Sequence, residues 1–266
     1  MKADRSPVSA SGEAPLIEGR DLVRRFGGLS AVDGMSIALR RGEMTGLIGP
    51  NGAGKTTLFN LLAGSLRPTA GAIRIRGVDV STAGPESRVG LGVGRTFQIP
   101  RPFAEMTVLE NVLTGGQRQT GERIWTNFLN PGRVASEERR AVEKARALLD
   151  FLNLSRLEGE PARALSGGQR KLLELARILM ADPQAILLDE PAAGVNPTLL
   201  ELIIDRIQAL NAEGKTFLLI EHNMDMVARL CSRVVAMASG RLLAEGAPGE
   251  VARDPAVIAA YLGEAA

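Results

Sequence analysis

Short apolar runs separated by polar, glycine-rich turns fill most of the chain, and their spacing alternates between the two-residue period of strands and the 3.6-residue period of helices. The pattern predicts strands over residues 16–26, 36–39, 44–48, 72–76, 95–98, 185–188, 216–220, 234–238 and 241–245. It predicts helices over 55–63, 108–113, 136–152, 167–180, 198–210, 224–230, 248–253 and 256–262. Runs such as Ala185-Ile186-Leu187-Leu188 are short and bounded by charge or turn residues, as buried parallel strands are. Strands alternating with helices argue for an α/β fold, a mostly parallel sheet covered by helices. Residues 99–165 break this rhythm with little strand signal. Within them Val142, Ala145, Leu148, Leu149 and Leu152 recur at helical spacing, so the stretch reads as a helical subdomain inserted into the body. Residues 15–263 read as a single domain, between a loose polar tail over 1–14 and a short tail over 264–266. No run approaches the roughly 18 apolar residues of a spanning helix.

Composition narrows the function classes. The chain has 266 residues, 45% of them hydrophobic, enough for a sizeable core. Thirty-two Lys and Arg against 30 Asp and Glu leave a net charge of +2, not the lopsided basicity of a dedicated nucleic-acid binder. One His and one Cys exclude most zinc sites and any intrachain disulfide, and a single Cys favours a reducing compartment. The first residues lack an apolar core of the signal-peptide kind, so the protein is expected to be soluble, or held at a membrane by a partner.

The strongest local signal is Gly49-Pro50-Asn51-Gly52-Ala53-Gly54-Lys55-Thr56-Thr57, which fits the P-loop pattern GxxxxGKS/T. It follows an apolar strand and opens a helix, the context that the motif requires. Glycines let successive N–H groups turn inward toward phosphate oxygens, and the helix N-terminus adds positive potential there. Lys55 is placed to reach the β- and γ-phosphates, and Thr56 to offer its hydroxyl to Mg²⁺. The chain has only five lysines, so Lys55 does not reflect a general excess. A second signal is Asp189-Glu190 at the end of the apolar run 185–188. Acids at the carboxyl end of a buried strand lie where ligands bind in open α/β sheets. Asp189 suits Mg²⁺, and Glu190 suits the orientation of an attacking water.

Leu165-Ser166-Gly167-Gly168-Gln169, with Gln169 lying 20 residues before Asp189, resembles in full the LSGGQ signature of ATP-binding-cassette (ABC) ATPases. Ser166 can cap the helix that follows, and the glycines permit close approach of phosphate. The resemblance implies a P-loop ATPase with a mostly parallel core sheet, an N-terminal antiparallel β subdomain and the inserted helical subdomain. It implies ATP and Mg²⁺ as cofactors, and a head-to-tail dimer with a second ATPase subunit, the same chain or a related one. Ser166, Gly167, Gly168 and Gln169 would then serve the partner's nucleotide. It further assigns Gln98 to Mg²⁺ or the attacking water, His222 to the γ-phosphate and Phe26 to stacking on adenine. The catalytic set is Glu190, His222, Gln98 and Lys55, and the metal set is Thr56, Gln98 and Asp189. Asn196 stands where many cassettes carry Asp; it can still cap the helix begun by Pro197.

Residues 94–103, 106–112, 191–197 and the ending Val257-Ile258-Ala259-Ala260-Tyr261-Leu262-Gly263 look like the branched-chain amino acid import ATPases. The resemblance spans residues 15–263, and urea, amide and lipopolysaccharide export ATPases are close relatives. It implies separate transmembrane permease subunits, an indirect link to a periplasmic or extracellular solute-binding protein, no nucleic acid, and a place on the cytoplasmic face of the membrane. The 68 residues from Gln98 to Ser166 leave no room for the long coiled coil of cassettes that serve nucleic acid or the ribosome. The presence of Lys55, Glu190 and His222 argues against a scaffold without hydrolysis.

Overall fold

Two sheets share the body of the protein. A computed structural model describes residues 14–96, 102–116 and 131–262. The first sheet is antiparallel, in the order β2-β1-β4-β5, with β1 Ile17–Phe26, β2 Leu29–Leu39, β4 Ala70–Ile75 and β5 Val78–Asp79. The second has the order β10-β9-β3-β8-β7-β6. Its strands are β3 Met44–Ile48, β6 Val93–Arg95, β7 Ala185–Asp189, β8 Thr216–Ile220, β9 Arg233–Ala238 and β10 Arg241–Gly246. All neighbours in it are parallel except the β9–β10 hairpin.

The helices are α1 Lys55–Ala63, α2 Pro85–Gly90, α3 Val108–Leu113, α4 Pro131–Phe151 and α5 Gly167–Met180. They continue with α6 Pro197–Ala212, α7 Met224–Leu230, α8 Pro248–Val251 and α9 Pro255–Leu262. Among the described residues none is long and apolar enough to cross a membrane.

The central strands bury both faces, as parallel strands must. Ala185 and Leu187 of β7, with Leu218 and Ile220 of β8, pack on the side of α1 and the antiparallel sheet. Ile186, Leu188, Phe217 and Leu219 point the other way, into a core shared with α5, α6 and α7. The stretch expected to be a helical insertion contains α3, α4 and two single 3₁₀ turns among its described residues, with one isolated bridge between Thr107 and Pro161.

Register is what positions the site. Leu47 of β3 and Asp189 of β7 both pair with Ile220 of β8, and Ile48 pairs with Ala236 of β9. The carboxyl ends of four adjacent strands therefore lie level, and the segments leaving them meet along one edge.

The elements differ from the sequence expectation at a few places. Strand β2 begins at Leu29 rather than at 36, and the short β5 and α2 are additional. The strand expected over 95–98 is observed as Val93–Arg95, with Gln98 outside the described residues.

Candidate functional site

The loop over residues 49–57 leaves β3 and enters α1 with Gly49, Gly52 and Gly54 at φ 147°, 73° and 97°. Two of these glycines are fixed by crowding as well as by angle. A Cβ on Gly49 would lie 2.1 Å from the Met237 carbonyl oxygen, and one on Gly54 2.2 Å from that of Ala31. The loop is thus wedged between the β9–β10 hairpin and β2, where no side chain fits. Gly240 N–H donates to the Ala53 carbonyl at 2.9 Å, closing the same wedge. Lys55 is buried, and its ammonium donates to the carbonyl oxygens of Gly49 (2.6 Å) and Pro50 (2.9 Å). Asn51, Gly52 and Thr56 are exposed and Thr57 is half-buried.

Next along the sheet edge, Asp189 ends β7. It is buried, and its N–H donates to Thr96 Oγ1 at 3.0 Å. Burial pushes its carboxyl above the ordinary range, the adjacent Glu190 pushes the same way, and Arg95 opposes. Glu190 follows in a left-handed conformation, φ 50°, which a non-glycine residue adopts only when its surroundings hold it there. Three contacts do so. Its N–H donates to Ile220 O at 2.9 Å, its carbonyl accepts from Lys171 Nζ at 2.5 Å, and its Oε1 lies 3.1 Å from His222 Nε2.

His222 sits just past β8, the strand between β3 and β7. The structure thus brings together the two residues to which water and γ-phosphate contacts were assigned. Glu221, unmarked by any motif, is buried beside them. Its carboxylate accepts from Ala192 N (2.7 Å), His222 N (3.1 Å) and Asn223 N (3.3 Å), pinning the turn after Glu190 to the turn that carries His222. Lys171 is the other residue that motif reading passed over. Desolvation lowers its pKa, and the carboxylates of Glu221, Glu190, Glu174 and Asp189 oppose that shift. A positive charge two residues after Gln169, on a helix whose N-terminus was already marked, was the available signal.

The signature segment is arranged as a helix cap. Ser166 Oγ accepts from Gln169 N at 3.3 Å, and Gln169 Oε1 accepts from Ser166 N at 2.9 Å, a capping box on α5. The two glycines differ. Nothing lies within 4 Å of a Cβ on Gly167, whereas one on Gly168 would meet Leu199 Cδ2 at 2.2 Å. Gly168 thus lies against the Leu199 side chain where α5 packs on α6, and a larger residue there would have to displace that side chain. Asn196 caps α6 by accepting from Leu199 N at 2.9 Å, with Pro197 in the first turn.

Phe26 closes β1 with 45% of its surface exposed, under the Arg24 guanidinium at 4.7 Å. That exposure removes it from the core. Gln98 lies outside the described residues. Among those described, no group of three or more His, Cys, Asp and Glu can hold a metal by itself. The oxygens of Asp189 and Thr56 are hard donors of the kind that Mg²⁺ takes when phosphates complete its shell. The donor set therefore fits Mg²⁺ together with a nucleotide.

Comparison with known proteins adds the rest. Residues 32–193 match the family model described as ABC transporter, and residues 241–266 match the one described as branched-chain amino acid ATP-binding cassette transporter. The chain is 40% identical over 248 residues to a protein of Archaeoglobus fulgidus named probable branched-chain amino acid transport ATP-binding protein LivG, covering 93% of this chain and 95% of that one. It is 39% identical over 252 residues to the high-affinity branched-chain amino acid transport ATP-binding protein BraF of Pseudomonas aeruginosa, covering 94% and 99%. A crystal structure of an ABC transporter cassette in its ADP conformation superposes with a TM-score of 0.80 at 37% identity, covering 94% of this chain and 100% of that one.

Proposed function

We propose that this chain, which belongs to the ABC transporter family and is one of its ATP-hydrolysing subunits, powers the uptake of branched-chain amino acids through separate permease subunits. The solute class is supported by the names of its relatives and by the match over residues 241–266. The observation that carries the chemistry is the alignment of strand ends. It sets residues 49–57, Asp189 with Glu190, and His222 on neighbouring parallel strands, with Glu190 Oε1 3.1 Å from His222 Nε2.

In this reading the N–H groups of residues 49–57 and the N-terminus of α1 hold the β- and γ-phosphates, and Phe26 stacks on adenine. Lys55 exchanges its loop carbonyls for phosphate oxygens, so its buried ammonium stays paired in both states. Thr56, Asp189 and Gln98 hold Mg²⁺, which neutralises charge on the phosphates. Glu190 orients the attacking water, and His222 contacts the γ-phosphate. Catalysis rests on positioning and on electrostatic support of a loose transition state. Ser166, Gly167, Gly168 and Gln169 close over the nucleotide of a second cassette, the same chain or a related one, in a head-to-tail dimer. The dimer sits on the cytoplasmic face of the membrane against its permeases, which receive solute from a binding protein.

Two experiments test this. Glu190→Gln keeps the shape of the side chain and removes its charge, so turnover falls by about 10²–10⁴-fold while an ATP-bound dimer accumulates. Normal hydrolysis by that variant defeats the assignment. With its permeases reconstituted, the complex takes up labelled leucine, isoleucine or valine on addition of ATP. Uptake of urea or a short amide instead reassigns the solute.

A further inference from the structure

The C-terminal ending that marks the branch is absorbed by none of the chemistry above, yet one of its side chains reaches the phosphate loop. Tyr261, in the last turn of α9, accepts a hydrogen bond on its hydroxyl from Gly49 N–H at 2.8 Å, across 212 residues of sequence. Gly49 is the first residue of the loop, and its φ of 147° is open to glycine alone. A residue with that freedom does not hold one conformation by itself. Here both of its main-chain polar groups are engaged from outside, the N–H by Tyr261 and the carbonyl by Lys55 at 2.6 Å.

The carbonyl is the tie that Lys55 gives up when it turns to phosphate. The N–H tie does not depend on Lys55. The C-terminal segment supports it mechanically. Asp254 Oδ1 accepts from Ala256 N at 2.8 Å at the start of α9, Val257 is buried, and α9 packs on β10. The turn before β10 holds Ala53 through Gly240. The stretch from β9 to Tyr261 thus grips the loop at Gly49 and again at Ala53.

We propose that Tyr261 is a positioning residue for the phosphate loop. Its hydroxyl keeps Gly49 in the nucleotide-ready conformation while Lys55 changes partners, and it thereby sets nucleotide affinity. This rests on the reading of residues 49–57 as the nucleotide site, and the experiment separates the two claims. Tyr261→Phe keeps the ring and removes only the hydroxyl, the acceptor of the Gly49 N–H. In the full-length chain it speeds hydrogen exchange of the Gly49 amide and weakens ADP binding by calorimetry about three- to tenfold, as the loss of one hydrogen bond requires. The KM for ATP rises, kcat changes less than twofold and the melting temperature stays. That split separates positioning from a purely structural part. Unchanged exchange at Gly49 overturns the contact, and faster exchange with unchanged ADP affinity overturns its role. Lys55→Ala is the companion. If it binds ADP as tightly as the parent chain, the nucleotide reading falls, while the exchange result still decides the contact.

Discussion

Four carboxylates crowd around one ammonium at the end of β7, and this cluster shows how single residues trade stability for chemistry. Burial and Glu190 raise the pKa of Asp189, so its ionised form opposes folding at neutral pH. The cost is absent below the pKa of the unfolded chain, near 4, and is complete above the raised folded value. Asp189→Asn removes it. The nucleotide-free variant is therefore expected to melt at a higher temperature than the parent at pH 7–8, with the gap closing toward pH 4, and to lose ATPase activity. A variant that melts lower at pH 8 would show that Asp189 is compensated in ways the pairings with Arg95 and Lys171 do not capture. Lys171 makes a complementary case. It donates to the main chain of Glu190, not to its carboxylate, so it supports the strained φ of 50°. Lys171→Met keeps the stem and is expected to lower kcat about tenfold with ADP affinity unchanged, which single-turnover kinetics and calorimetry resolve.

At the scale of elements, α1 is held at its far end by a cation. Gly64 terminates it at φ 84°, and Arg88 donates to the carbonyls of Leu61 and Leu62 and, at 3.0 Å, to Val80 O. Burial lowers the pKa of Arg88 to about 10, far above neutrality, so it caps the helix as a cation. Arg88→Met leaves buried carbonyls without donors and is expected to cost about 2 kcal/mol in urea denaturation, with nucleotide affinity falling less than stability. Neither α2 nor this cap was legible in the sequence, because α2 carries a single aliphatic side chain, Val89, where the equally short α3 carries four, and the cap is a tertiary contact. The long strands and helices were legible where apolar runs were unbroken. Strand β2 was underestimated because Asp33-Gly34 has the composition of a turn, whereas the chain continues through it with Gly34 at φ 73° and shifted register against β1. The site divides in the same way. Residues 49–57, Ser166, Asp189, Glu190 and His222 carry motifs because their work follows from local backbone geometry. Tyr261, Lys171 and Glu221 act through contacts 212, 19 and 29 residues away, which no local pattern encodes.

Across the whole molecule, the sheet under the site has a built-in reporter. Cys231 is the only cysteine, it is buried, and its thiol lies close to Gly46 of β3, where a Cβ would be 3.2 Å from Sγ. Its N–H donates to Val227 O at 2.8 Å, so it ends α7 where that helix turns into β9. Burial, with Glu221 adding to it, pushes the thiol up to about 12, so almost no thiolate forms at pH 8 in the folded chain. Once unfolded, the same thiol has a pKa of about 8.5 and reacts readily. Exposure requires β3, β9 and α7 to separate, an opening of the core rather than fraying of a loop. Labelling by a thiol reagent at pH 8 is therefore expected to follow the global unfolding transition in urea, with a slope equal to that from circular dichroism. Nucleotide should raise the free energy of opening by RT ln(1 + [L]/Kd) and so slow labelling by the factor 1 + [L]/Kd, because ligand that binds only the folded state stabilises every global opening equally. Fast labelling in the absence of denaturant, unaffected by ATP, would mean that the sheet opens locally between β3 and β9. The strand that carries the phosphate loop would then not be the rigid support that the aligned strand ends require.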